Sequence, residues 1–255
     1  MTLPHILVLV ASSLGAGVMN AMAGGGTILT YPTLLFLGES AIVANATSTI
    51  ALWPGAAASM WGYRRDVATH REWLKTLLVP SLLGGAVGSI LLLRTPEKAF
   101  ERLAPFLILF ATVLFLAQGA VSRSSAARSA QPRSAARLAA ALLFQFAVAV
   151  YGGYFGAGIG ILMLATLGFL GLSDIHAMNG LKNFFGMCIN AVAAAYFILR
   201  GAVEWRAALV MIGGAIAGGY GGARFARRIG KAKSRAAVAV IGFGIAILLF
   251  VRGIR

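Results

Sequence analysis

Ten apolar runs, separated by short polar segments, restrict this chain of 255 residues to very few folds. The runs lie at about 5–22, 27–37, 41–62, 74–93, 103–121, 136–155, 158–171, 176–199, 207–223 and 236–251. A helix that crosses a bilayer needs about 20 apolar residues, and several of the runs reach that length. Because 59% of the residues are hydrophobic and only 11% are charged, soluble enzymes, secreted disulfide scaffolds and disordered proteins are excluded. The sequence therefore predicts an all-α integral membrane protein.

A polar, basic segment divides the ten runs into two sets of five. Residues 122–137 contain four arginines and a proline but no acidic residue, which is typical of a linker. We predict a first transmembrane repeat at 1–121, a basic cytoplasmic linker at 122–135 and a second transmembrane repeat at 136–255.

The two halves share four landmarks in the same order. The matching pairs are residues 23–26 with 155–158, Asn45 with Asn179, Glu72-Trp73 with Glu204-Trp205, and residues 85–88 with 218–221. Asn179 follows Asn45 by 134 positions, and Glu204 follows Glu72 by 132. Internal duplication of this kind is typical of secondary transporters.

Basic residues predict how the halves are oriented. The linker and the segment 224–235 are rich in Arg and Lys and lack acids, so both should be cytoplasmic. Four runs lie between them, and all four must cross the membrane for the two segments to share a side. This predicts ten crossings, two inverted five-segment repeats and both termini outside. An eight-crossing arrangement, with the two short runs re-entrant, would put 224–235 outside.

The two short runs, 27–37 and 158–171, predict two short broken helices. Eleven helical residues span only about 16 Å, whereas the hydrocarbon core is about 30 Å thick. The glycine-rich residues before each run must supply the rest, and unwound backbone is tolerated only inside protein or beside a wet cavity. We expect the two breaks to meet near the midplane and to form a binding site.

Lys182 is the strongest candidate for the chemistry of that site. A charged side chain inside an apolar run is costly and normally faces a cavity or the protein interior. Snorkelling toward the interface near Asp174 is the alternative interpretation. Asn179 and Asn183 lie on the same helical face as Lys182, and the matching stretch of the first half offers hydroxyls and an amide. Gluing helices together is the alternative role for these polar residues.

Hydroxyls, amides, one cation and exposed backbone N–H groups suit a small oxyanion. The predicted substrate-binding residues are Asn45, Thr47, Ser48, Thr49, Asn179, Lys182, Asn183, Gly24, Gly25, Gly26, Gly156 and Gly158. The predicted cavity lining also includes Asn20, Trp53, Tyr151, Tyr154 and His176.

The sequence contains no metal-ligand cluster, phosphate loop or nucleophile–base pair. We therefore predict no metal, no cofactor and no enzymatic activity, and ATP-driven transport by this chain alone is excluded. The net charge of +15 comes from basic residues in short segments between apolar runs, which argues against nucleic-acid binding.

The landmarks resemble the TauE/SafE sulfite exporter family of membrane permeases over nearly the whole chain. The resemblance rests on residues 23–26 with Pro32 and Gly38, residues 44–49 followed by 52–55, residues 154–160 and residues 178–183. Members of this family are thought to move sulfite, sulfonates or other small organosulfur anions across the inner membrane, many of them outward, and are often drawn with eight crossings. The second half has Gly180-Leu181-Lys182 instead of a hydroxyl-rich string, so its half-site differs chemically.

Together, the residues and the resemblance predict a secondary transporter that exports sulfite, a sulfonate or another organosulfur anion. Alternating access would occur at a midplane site between the inverted repeats. An anion channel and a permease for a non-sulfur carboxylate are the alternatives. The expected location is the bacterial cell inner membrane, with multiple crossings. The expected partners are a small anion and the lipid bilayer, while coupling to a proton or another ion and a homodimer are left open.

Overall fold

The computed structural model describes residues 1–22, 24–64, 67, 70–128, 135–172 and 174–225, together with scattered positions between 243 and 251. Within these residues the chain forms nine α-helices and no strand. The first half contains α1 (Leu3–Met22), α2 (Thr27–Phe36), α3 (Ala41–Gly62), α4 (Arg71–Arg94) and α5 (Glu97–Arg128). The second half contains α6 (Ala135–Tyr154), α7 (Ile159–Phe169), α8 (Ile175–Leu199) and α9 (Trp205–Phe225).

The predicted all-α architecture is confirmed for the described residues. Four segments are long and apolar enough to cross a membrane, namely Leu3–Ala21, Arg71–Arg94, Glu97–Ala117 and Ile175–Leu199. Each of the first nine predicted apolar runs corresponds to one helix, and the tenth, 236–251, lies mostly outside the described residues. Helix α5 continues to Arg128, so the first part of the predicted linker 122–135 is helical.

The two halves exchange packing partners. Helix α1 packs along α9 of the other half, and α6 packs along α4 in the same way. The third helices, α3 and α8, contact each other, and each also packs on the fourth helix of the opposite half. The halves therefore interlock, with the short helix α2 packed on α1 and α3 and the short helix α7 packed on α5, α6 and α8.

Glycines allow close contacts between these helices. A Cβ added to Gly218 would collide with the backbone oxygen of Leu14 on α1, and one added to Gly88 would collide with that of Val150 on α6. Small residues of this kind let membrane helices approach closely, and close packing is a main source of their association.

We predict that Gly218→Ala destabilises the protein by about 1–3 kcal/mol, because the added methyl group cannot be accommodated against α1. Gly213→Ala is the matched control on the same helix, because a Cβ there meets no atom within 4 Å. Thermal unfolding in detergent should show a lower midpoint for Gly218→Ala and an unchanged or higher one for Gly213→Ala. Equal midpoints for the two variants would contradict this packing.

Candidate functional site

The two helix breaks touch each other. The first break (Gly24–Gly26) separates α1 from α2, and the second break (Phe155–Gly158) separates α6 from α7. Gly24 and Gly156 have φ values of 77° and 83°, a left-handed conformation that glycine adopts without strain. A Cβ on Gly24 would lie 2.6 Å from the Cα of Gly160, so only glycine permits this approach.

A cavity of about 40 Å³, counted as the space open to the centres of water-sized molecules, lies against both breaks. Its lining consists of Asn20, Gly24, Thr27, Thr49, Leu52, Ala56, Gly156, Ile159, Gly160, Met163, Lys182, Asn183, Gly186 and Asn190. No acidic side chain is among the described residues that line it. Among the described residues, no group of three or more His, Cys, Asp or Glu side chains is arranged to hold a metal ion.

Lys182 lies in this cavity wall and is only 2% exposed. Its Nζ donates to the main-chain oxygens of Asn20, at 3.1 Å, and of Ala21, at 3.4 Å, at the C-terminal end of α1. The carbonyl end of a helix carries partial negative charge and attracts a cation. Within the described part of the chain, the ammonium has no carboxylate partner. Neutral carbonyls alone therefore compensate a nearly fully buried charge.

One polar side chain in the cavity has a buried donor without a partner. Asn183 is 5% exposed, and its Nδ2 donates no hydrogen bond within the described residues. Such a donor costs about 1–3 kcal/mol, and native structures normally satisfy it. The hydroxyl-bearing Thr27, which is 6% exposed, lines the same cavity. Together with Lys182, these two residues form a set of donors that fits a ligand with acceptor oxygens.

Three of the predicted binding residues brace the structure and do not line the cavity. Asn45 donates from Nδ2 to the main-chain oxygen of Tyr154 at 2.9 Å, which ties α3 to the end of α6. The Thr47 hydroxyl accepts from the Glu204 N–H at 3.0 Å, and the Ser48 hydroxyl bonds to that of Thr30.

Thr49 lies next to these residues and does line the cavity. Its hydroxyl donates to the main-chain oxygen of Asn45 at 3.0 Å, so only the lone pairs of this hydroxyl remain for a ligand. Neighbouring residues of α3 thus differ in role: Asn45, Thr47 and Ser48 hold other segments in place, whereas Thr49 lines the cavity.

The remaining predicted glycines divide between the cavity and the packing. Gly24 and Gly156 line the cavity. The N–H groups of Gly25 and Gly26 donate to the side-chain oxygen of Asn20, and Gly158 packs near Ala111.

Asn179, Trp53, Tyr151, Tyr154 and His176 do not line the cavity. The Oδ1 atom of Asn179 is buried without a partner, and Trp53 is 39% exposed. Tyr151 donates its hydroxyl to the main-chain oxygen of Ala157, and the Tyr154 hydroxyl bonds to that of Thr95. The main-chain N–H of His176 donates to the side-chain oxygen of Asp174, the residue that caps α8. These five side chains therefore lie outside the cavity wall.

The sequence analysis missed several residues of the cavity wall, of which Thr27 and Asn190 are polar. Both had a recognisable signal. Thr27 directly follows the glycines of the first break, and Asn190 lies two helical turns after Asn183 on the same face. The apolar residues Leu52, Ala56 and Met163 had no such signal, because apolar residues surround them in the sequence.

Comparison with known proteins gives a consistent result. The family model described as Sulfite exporter TauE/SafE matches residues 9–249. A probable membrane transporter protein of Haemophilus influenzae is 29% identical over 231 residues, covering 89% of this chain and 88% of the relative. The probable membrane transporter protein YfcA of Escherichia coli K12 is 27% identical over 234 residues, covering 89% and 82%. No solved structure matches the chain.

The two asparagines with contrasting environments provide a test of this site. Asn45→Leu should lower the free energy of unfolding by about 1–3 kcal/mol, because it leaves the Tyr154 carbonyl without its donor. Asn183→Leu should leave stability unchanged or raise it, because it removes a buried donor that has no partner. Thermal unfolding of both variants in the same detergent measures the difference. An equal loss of stability would show that the Asn183 amide has a structural partner.

Proposed function

Because the chain belongs to the TauE/SafE sulfite exporter family, we propose that this multi-pass membrane transporter moves a small oxyanion, either sulfite or an organosulfonate. The main support is Lys182, a buried ammonium in the wall of a cavity between two helix breaks, which has no carboxylate partner among the described residues. A charge in such a position is expensive and is retained where a substrate or ion requires it. A bound anion would supply the missing negative charge.

The size and lining of the cavity support this substrate class. A buried water needs roughly 10–15 Å³ measured in the same way, so about 40 Å³ has room for roughly three waters or one small oxyanion. The lining combines polar side chains, among them Lys182, Asn183 and Thr27, with the apolar side chains of Leu52 and Met163. An organosulfonate with a short apolar group would suit such a mixed lining.

The exchange of packing partners supports inverted repeats and alternating access. A Cβ on Gly85 would lie 3.1 Å from the backbone oxygen of Ile189, and one on Gly219 would collide with that of Gly55. Gly219 lies 134 positions after Gly85, and Ile189 lies 134 positions after Gly55. The same kind of contact therefore occurs twice, with the halves exchanged. Rocking of one half against the other would then open the cavity to each side in turn.

We propose ten crossings with segments 122–135 and 224–235 on the cytoplasmic side, from the excess of Arg and Lys in both. Export of an anion follows the inside-negative membrane potential, which contributes about 2.3 kcal/mol per charge per 100 mV. This orientation and direction therefore need no second energy source within the chain.

Lys182→Met should reduce sulfite transport into proteoliposomes by roughly ten- to a hundredfold, because a charged hydrogen bond is worth about 1.5–3 kcal/mol. Stability should change little, because removal of a buried charge offsets the loss of the hydrogen bonds to the Asn20 and Ala21 oxygens. Lys75→Met, at an exposed position on α4, is the matched control and should transport normally.

The same assay with sulfite, an alkyl sulfonate, sulfate and acetate tests the substrate class. Saturable transport of sulfite or the sulfonate, reduced roughly ten- to a hundredfold in Lys182→Met, is the expected result. Transport at the unmodified rate by Lys182→Met would reject Lys182 as the binding group, and preference for acetate would reject the sulfur anions.

A further inference from the structure

The cavity wall contains matching positions of the two halves. Three of its residues lie on α3 and match three that lie on α8, each separated from its counterpart by 134 positions: Thr49 with Asn183, Leu52 with Gly186 and Ala56 with Asn190. The same interval relates the two equivalent glycine contacts between the halves. The third helices of the two halves therefore present corresponding faces to the cavity.

The middle pair differs most in size. Leu52 is only 2% exposed and contributes a whole isobutyl group, whereas the matching Gly186 contributes no side chain. Gly186 lies between Asn183 and Asn190 on one face of α8, because residues three or four apart share a helical face. Since both asparagines line the cavity, a side chain at position 186 would also point into it.

The space beside Gly186 is open. A Cβ added to Gly186 would meet no atom of the described residues within 4 Å, whereas one added to Gly218 would collide with the backbone of α1. Close packing, as at Gly218, is the usual reason for glycine in a membrane helix. Glycine inside a helix is otherwise less favourable than alanine, because it loses more backbone freedom on folding. Packing therefore does not account for Gly186, and the open space of the cavity does.

This open space lies next to the polar groups of the same helix. Lys182 and Asn183 precede Gly186 by about one helical turn and line the same cavity. They are 2% and 5% exposed, and the Asn183 Nδ2 has no partner among the described residues. An anionic group held by these two side chains would therefore have unfilled volume beside it, one turn further along α8.

We propose that Gly186 determines the size of the substrate: the space beside it receives the organic substituent of a sulfonate whose charged group binds Lys182 and Asn183. This inference rests on the proposed function, since it assumes that the cavity binds an anion. Leu52 occupies the matching position on α3, so the cavity offers one place for a substituent despite the repeated architecture. Sulfite, which has no substituent, would leave that place to water.

Calorimetry of the purified protein with sulfite and with ethanesulfonate tests this role. Gly186→Leu places on α8 the side chain that Leu52 has on α3, so ethanesulfonate affinity should fall by about tenfold or more while sulfite affinity stays the same. Gly186→Ala fills less of the space and should lower ethanesulfonate affinity by a smaller factor. The readout is the ratio of the two affinities, because a partial loss of folded protein lowers the amount of binding but not this ratio.

Gly213→Leu is the matched control. A Cβ on Gly213 also meets no atom of the described residues within 4 Å, but this residue is exposed on α9 and does not line the cavity. Both affinities should therefore equal those of the unmodified protein. Gly186→Ala should unfold at the same temperature as the unmodified protein or at a higher one, because alanine favours a helix more than glycine does.

The same measurements separate this inference from the proposed function. If the unmodified protein binds neither anion, the proposed function is rejected and this inference with it. Sulfite binding without ethanesulfonate binding, or an equal loss of both affinities in Gly186→Leu, would reject only the role of Gly186. Unchanged ethanesulfonate affinity in Gly186→Leu would reject that role as well, and slower transport of ethanesulfonate by this variant would then place Gly186 at an entrance to the cavity.

Discussion

Backbone groups released at a helix break need partners that a bilayer does not supply, and this requirement organises the structure. Each half solves it with a donor on its third helix. Asn45 on α3 donates to the Tyr154 carbonyl at the end of α6, and Lys182 on α8 donates to the Asn20 carbonyl at the end of α1. The end of the first helix in each half is therefore held by the opposite half.

The two braces come from the third helix of each half but not from matching positions, since Asn45 matches Asn179, and they differ in chemistry. An amide satisfies a carbonyl without any net charge, whereas an ammonium leaves a charge that carbonyls only partly compensate. The asymmetry of the sequence, with Lys182 on one side and neutral side chains on the other, therefore becomes an electrostatic asymmetry of the cavity.

The apolar runs predicted the helices closely, because a membrane helix depends mainly on local composition: the run 41–62 and α3 have the same bounds. The glycine-rich residues before α2 and α7 likewise predicted the two helix breaks, because a break also depends mainly on local composition. The roles of Thr47 and Ser48 could not be predicted, since their partners, Glu204 and Thr30, are distant in sequence. The run 103–121 also did not indicate that α5 continues to Arg128, because polar linker residues can extend a helix that packing has already started.

The brace at Lys182 also links substrate to movement, given an anion in the cavity. The ammonium that an anion attracts is the one that donates to Asn20 and Ala21, so the anion and the end of α1 compete for the same three N–H donors. A ligand shifts a conformational equilibrium only when it interacts differently with the two states. Weakening the tie between α8 and α1 is such a difference, because those helices belong to opposite halves. Lys182 would then serve both as the binding group and as the contact through which occupancy alters the packing of the halves.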